Sequence, residues 1–249
     1  MNQAPRILSI AGSDSSGGAG IQADVKTITL LGGYAMTAIT AITAQNSLGV
    51  SAVETLSAAM VAAQIDACLG DIGVDAVKIG MLGSAEIAHA VADRLAGLKV
   101  PIVFDPVMVS TAGSVLADEA TVAAFERLMD IACLTTPNVD ELAALGGDEA
   151  LAAKGIAYIA KGGDAPGDTV VDRLVIPGQE PQVWTASRID TRHTHGTGCT
   201  LSSAVATFLG QGAPLAEAIE DARDFVRAAL LAAPGFGEGH GPMGHHAVR

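Results

Sequence analysis

The sequence predicts an α/β protein: a mostly parallel central sheet with helices on both faces. Short apolar, β-branched runs alternate with amphipathic runs along the whole chain, and the apolar runs end again and again in glycine or polar residues. Size agrees, since 249 residues suit one large α/β domain or two small ones and can bury a substantial core. No linker, internal repeat or low-complexity stretch divides the chain, so a single domain over 1–249 is expected.

Residues 6–11 read as the first strand, followed by a glycine-rich loop and a helix over about 21–31. Residues 36–43, rich in β-branched side chains, are the next strand, and 57–69 a helix that Ser57 can cap. A strand at 75–79 precedes a helix over 84–95 capped by Ser84. The strand at 100–104 ends at Asp105-Pro106, 118–129 is helical, 134–136 is a strand ending at Pro137-Asn138, and 156–160 is a strand ending at Lys161-Gly162-Gly163. Residues 170–176 and 182–185, separated by Pro177-Gly178-Gln179, read as a hairpin at a sheet edge. From Thr200 onward the chain reads as largely helical.

Charge and composition exclude several classes. A net charge of −13 and a sequence pI near 4.7 argue against nucleic-acid binding, which needs a basic stripe. Mean hydropathy is +0.40 and no charge lies between Lys26 and Glu54, a window long enough to span a bilayer. That window holds Gly32-Gly33, several threonines, Gln45, Asn46 and Ser47, and reads better as buried α/β core followed by a polar corner. Residues 1–6 lead directly into Ile7-Leu8-Ser9-Ile10 and a polar loop, which is not a signal-peptide pattern. Cys68, Cys133 and Cys199 are odd in number and lack CxxC spacing, as expected of a reducing compartment; a cytoplasmic protein with no membrane partner is expected. The late histidines (His193, His195, His240, His245, His246) contain no HExxH, and 239–246 reads as a flexible C-terminus.

In open α/β sheets, ligands collect at the carboxyl ends of the strands, where the polar punctuation falls here. The segment His195-Gly196-Thr197-Gly198-Cys199-Thr200 leads a Gly-x-Gly turn into a helical run. The first N–H groups of a helix have no internal partner and the macrodipole adds positive charge, so Gly196, Thr197 and Gly198 read as an anion cradle. The same field is expected to lower the Cys199 thiol pKa and make it a base; a glycine-rich turn with a small buried cysteine is the alternative. Asp14 to Gly20 resembles a phosphate loop but fails as Walker A, because Gly18 and Ala19 stand where Lys and Ser/Thr are required. Asn138 and Glu141, three apart, would face one way at a helix start and could hold Mg²⁺ through water; an Asn cap with a first-turn acid is the alternative. Asp105 could add a carboxylate to that metal site, and Lys161 could meet phosphate as a point charge.

Ala11-Gly12-Ser13-Asp14, Gly17-Gly18-Ala19-Gly20-Ile21-Gln22-Ala23-Asp24, Ala44-Gln45-Asn46, Lys78-Ile79-Gly80-Met81, Asp105-Pro106-Val107-Met108, Thr136-Pro137-Asn138 through Glu141, Lys161-Gly162-Gly163 and Thr194-His195-Gly196-Thr197-Gly198-Cys199-Thr200 follow in one order over nearly the whole chain. This set resembles the hydroxymethylpyrimidine/phosphomethylpyrimidine kinases of thiamine biosynthesis, within the ribokinase-like superfamily. The resemblance implies a three-layer α/β/α fold and MgATP-dependent phosphorylation of 4-amino-5-hydroxymethyl-2-methylpyrimidine, then of its monophosphate, by a homodimer. It implies that Gln45 hydrogen-bonds the aminopyrimidine edge, with the Gly12 backbone, Met81 and Val107 shaping the ring pocket. Gly196 to Cys199 would hold the transferring phosphoryl group, with Cys199 where many sugar-kinase relatives place an aspartate base. Asn138, Glu141 and Lys161 match the family's Mg-phosphate and Lys-Gly-Gly motifs. Three departures stand out. Ser15 replaces a common proline and is expected to loosen its loop, Asp164 replaces a usual histidine, and His193 a frequent asparagine; together they put the second phosphorylation in question.

Rival readings are a pyridoxine or pyridoxal kinase or a dual-specificity enzyme, a cysteine hydrolase using Cys199 with His193 or His195, and a non-catalytic pyrimidine-binding protein.

Overall fold

The computed structural model describes residues 3–111 and 113–248. Nine strands form one sheet: β1 (Arg6–Asp14), β2 (Tyr34–Asn46), β3 (Gly49–Thr55), β4 (Ala76–Ile79), β5 (Ile102–Phe104), β6 (Leu134–Thr135), β7 (Tyr158–Ala160), β8 (Thr169–Val175) and β9 (Gln182–Ser187). Their order is β3-β2-β1-β4-β5-β6-β7-β8-β9. The strands from β2 through β7 run parallel, while β3 at one edge and the β8–β9 hairpin at the other are antiparallel. The predicted α/β class, mostly parallel sheet and edge hairpin are therefore present.

Period-two alternation feeds a core on each face of this sheet. Leu8, Ile10, Val77 and Phe104 point to one face, under α2 (Ala58–Ala67), α3 (Ala85–Leu95) and α4 (Glu119–Met129), where Phe104 meets Phe125 edge-on at 5.1 Å. Ile7, Ala76, Val103 and Ile159 point to the other, under α1 (Gly20–Leu30), α7 (Thr197–Gly210) and α8 (Leu215–Leu231). Helix starts follow the caps read from the sequence: Ser57 accepts from Met60 N and Ser84 from Ile87 N, while Asp118 accepts from Thr121 N. A short π-helical turn at Cys68–Ile72 extends α2, and the short helices α5 (Val139–Ala144) and α6 (Gly147–Ala153) lie between β6 and β7.

Two expectations fail. Residues 49–55, taken with the polar corner, form the edge strand β3, a hairpin with β2. The turn is set by Asn46 Oδ1, which accepts from Leu48 N at 2.9 Å; outward-facing and half polar, β3 has no apolar run to announce it. The C-terminus is not a flexible tail either, and helix ends at Leu231. Beyond it Met243 and His245 are buried, Gly244 N donates to Ala229 O at 2.9 Å, and Thr200 Oγ1 bonds His245 Nε2 at 2.8 Å. Burial, with the Lys26 charge, pulls the His245 pKa down to about 4. Glycine-rich chain carries no periodicity, so only its fit against α7 and α8 orders it. Among the described residues, no helix is long and apolar enough to cross a membrane, and no group of three or more His, Cys, Asp or Glu side chains forms a metal cluster.

Candidate active site

The carboxyl ends of β1, β2, β4, β5, β6 and β7 open into one cavity of about 510 Å³, bounded on its far side by the start of α7. The residues expected to bind substrate, phosphate and metal line it: Gly12, Gln45, Met81 and Val107 toward one end; Asp105, Asn138, Glu141 and Lys161; and Gly196, Thr197, Gly198 and Cys199. Met81 packs on Gly12, its Cε standing 2.7 Å from where a Cβ would be. Gln45 Oε1 lies 3.1 Å from Thr43 Oγ1, whose one hydrogen it shares with Ser13 O at 3.0 Å, and this contact orients the amide. Ser15 does not loosen its loop. Its hydroxyl accepts from Gln45 N at 2.8 Å and donates to Gln45 O at 2.9 Å, clasping the loop to β2 where a proline could not.

The cradle forms because Gly196 takes φ 87°, a left-handed value that glycine adopts without strain. A Cβ there would lie 1.9 Å from Gly18 O, so the two glycine-rich segments interlock. This turn leaves the N–H groups of Gly198 and Cys199 without a partner inside the helix at the cavity wall, while Thr197 N donates to Thr194 O at 3.2 Å.

Beside the cradle, Lys161 Nζ donates to Asp105 Oδ1 at 2.9 Å and stands 3.8 Å from Glu141 Oε2. Burial alone would lower the lysine pKa, but the two carboxylates outweigh it and hold Lys161 protonated. Asp105, also bonded by Thr136 Oγ1 at 2.8 Å, is kept ionised against its burial by Lys161 and Lys78. Glu141 goes the other way: burial pushes it up, and Lys161 compensates only in part. Asn138 and Glu141 also form a full capping box at α5 (Val139–Ala144), Asn138 Oδ1 accepting from Glu141 N and Glu141 Oε2 from Asn138 N, both at 2.8 Å. The structural alternative for this pair is thus present, and it fixes both side chains at the cavity wall.

The expected low-pKa thiol is overturned. Cys199 is half-buried and its thiol is pushed up to about 11, first by burial and then by the charges of Asp24 and Asp105; Lys78 and the Gly20 N–H act oppositely and lose. The helix field is real but local desolvation is larger. The hydrolase reading loses its His195 partner, because His195 commits Nε2 to Asp14 at 2.8 Å rather than to Cys199.

Sequence reasoning missed a buried histidine–carboxylate hydrogen bond, a buried ion pair and one subsite. Asp14 and His195 pair across the interlocked loops. Lys78 Nζ bonds both oxygens of Asp24 at 3.0 and 2.9 Å beneath α7. At the far end, Val170, Leu201, Val226 and Leu230 give the cavity an apolar wall beside the Arg223–Asp172 pair at 2.7 Å. A lysine and an aspartate inside otherwise apolar elements were the available signal, since such charges are rarely buried unless paired.

Comparison with known proteins agrees with this geometry. Residues 14–244 match the family model described as phosphomethylpyrimidine kinase. A hydroxymethylpyrimidine/phosphomethylpyrimidine kinase of Rhizobium meliloti is 46% identical over 255 residues, covering 96% of each chain. Among solved structures, an ADP complex of Bacillus subtilis pyridoxal kinase superposes with a TM-score of 0.90 at 36% identity, covering 99% of both chains. A phosphomethylpyrimidine kinase of Clostridium difficile superposes with a TM-score of 0.76 at 36% identity, covering 90% of this chain and 98% of that one. Sheet and site together are those of a small-molecule kinase with the ribokinase-like fold. Within that class, the chain belongs to the phosphomethylpyrimidine kinase family.

Proposed function

We propose that the protein transfers the γ-phosphoryl group of ATP to 4-amino-5-hydroxymethyl-2-methylpyrimidine and then phosphorylates the monophosphate to the diphosphate, as a step toward thiamine. The observation that carries this reading is the convergence in one cavity of an oriented amide at Gln45, an anion cradle at Gly196 to Cys199, and Lys161 between two carboxylates. The chain's likeness to a kinase solved with ADP supports ATP as the donor.

Gln45 pairs with the aminopyrimidine edge, and Met81 and Val107 flank the ring over Gly12. The cradle N–H groups and Lys161 neutralise charge on the transferring group, which suffices for a loose transition state. Mg²⁺ fits the wall formed by Asp105 and Glu141. Both are hard oxygen donors, Glu141 is only partly compensated by Lys161, and Asp105 Oδ2 has just a 3.3 Å contact from Ser202. When bound, the ion neutralises phosphate oxygens. Cys199 takes the alcohol proton; its thiolate is the minor form near neutral pH, and a loose transition state asks for proton removal only late.

A single kinase domain is supported by one sheet with a core on each face. A homodimer is supported by the exposed apolar residues Ile42, Leu48 and Val53 on the β2–β3 hairpin. A cytoplasmic location is supported by three free cysteines. The second reading, a pyridoxal kinase or dual-specificity enzyme, is favoured by the solved structure of TM-score 0.90.

A coupled ADP-release assay with MgATP, run on the hydroxymethylpyrimidine and on pyridoxal in parallel with the products resolved, decides between them. Mono- and then diphosphate from the pyrimidine is expected. Turnover of pyridoxal alone would transfer the protein to the second reading.

A further inference from the structure

Asp14, at the end of β1, gathers the loop that follows it around its own carboxylate. Oδ1 accepts from Ser16 N at 2.8 Å and Ser16 Oγ at 2.8 Å; Oδ2 accepts from Gly18 N at 3.0 Å and Ala19 N at 2.8 Å. One more donor comes from 181 residues away: His195 Nε2 at 2.8 Å, with both side chains almost fully buried. A carboxylate has no proton to give here, so Nε2 carries the hydrogen and donates.

His195 makes further contacts around the cleft mouth. Its ring fills the space beside Gly18, where a Cβ would sit 2.4 Å from Cδ2. Its backbone N–H donates to Gly241 O at 3.2 Å, and the next residue is the glycine that opens the anion cradle. Its Nε2 lies 3.5 Å from Gln45 Nε2, a packing contact rather than a hydrogen bond because both atoms carry donor hydrogens. Ser15, in the same loop, holds Gln45 by its backbone. A continuous chain of contacts thus runs from Gly196 through His195, Asp14 and Ser15 to Gln45.

We propose that His195 is a positioning residue: by donating to Asp14 it locks the loop at residues 15–19 against the start of α7, and so sets the pyrimidine end of the cleft, at Gln45, in register with the anion cradle. This rests on the pyrimidine-kinase reading. Without the lock, the loop parts from the cradle, Gln45 loses its backing and water reaches the phosphoryl group. A side chain that only supported the fold would change stability and both substrates alike.

The test compares His195→Leu with His195→Gln, whose amide can return a donor to Asp14. Steady-state KM is measured for each substrate, and ADP release is compared with pyrimidine phosphate formed. His195→Leu is expected to raise the KM for the pyrimidine on the order of tenfold, leave that for MgATP within about twofold, and release ADP in excess of product. His195→Gln is expected to restore both readouts. A folded His195→Leu with wild-type KM and one ADP per product overturns the proposal, as does an equal rise in both KM values that His195→Gln does not rescue. If His195→Leu does not fold, Asp14→Asn is read by the same criteria. If the wild type makes no pyrimidine phosphate, the functional reading has failed, and the lock is judged on hydrogen exchange at the Gly18 and Ala19 amides. His195→Leu should then speed exchange there roughly tenfold, and unchanged protection overturns the lock.

Discussion

Two buried lysine–aspartate pairs lie close to α7, and they differ in what they face. Lys78–Asp24 is sealed, both side chains having no exposed surface. Asp24 receives Lys78 on both oxygens and a serine hydroxyl on each, Ser9 at 2.5 Å and Ser203 at 2.7 Å, so its acceptor capacity is filled. Lys161–Asp105 has the same chemistry, but its lysine is 14% exposed and lines the cavity. Its Asp105 Oδ2 has only the long contact from Ser202. A saturated pair serves the fold; one with spare donors and acceptors at a cavity wall can act on a ligand.

Breaking the sealed pair should have the largest effect. Lys78→Met strands a buried carboxylate and is expected to destabilise the protein by about 3–5 kcal/mol in urea unfolding. The double replacement Lys78→Met with Asp24→Leu should recover most of that, and a single variant as stable as wild type would show that the pair is not what Asp24 depends on.

Lys161→Ala should reverse the pattern. Water entering from the cleft can solvate Asp105, so its stability loss should be smaller than that of Lys78→Met, while kcat falls about 10²–10³-fold. Equal losses of stability in the two variants would erase the distinction between the pairs.

Cys199 feels both lysines, and its thiol stands near 11. The proton acceptor is the deprotonated form, so kcat should rise with pH toward that value, and Cys199→Ala should flatten the profile and slow turnover on the order of 10²-fold. A flat wild-type profile would remove the base role. Smallest is a control distant from both pairs: Asp118→Ala removes the α4 cap and should cost about 1 kcal/mol of stability with kcat unchanged.

How much of this was legible follows from the range of each interaction. The strands of β1, β4 and β5 show as apolar runs because both their faces are buried, and Ser57, Ser84 and Asp118 mark helix starts through bonds to residues three positions on. All the expected site residues reach one cavity because parallel strands place their carboxyl ends together. β3 carried no signal, since its pairing with β2 rather than any periodicity makes it a strand.

The sequence by itself determined what depends on neighbours along the chain: the α/β alternation, the caps, and the Gly-x-Gly turn that opens α7. Tertiary structure alone decided the rest. It raised the Cys199 thiol where the helix start predicted a lower value, packed the glycine-rich C-terminus around His245, and joined Asp14 to His195 across 181 residues. Desolvation and ion pairing depend on which groups the fold brings within a few ångströms, and sequence spacing carries no record of that distance.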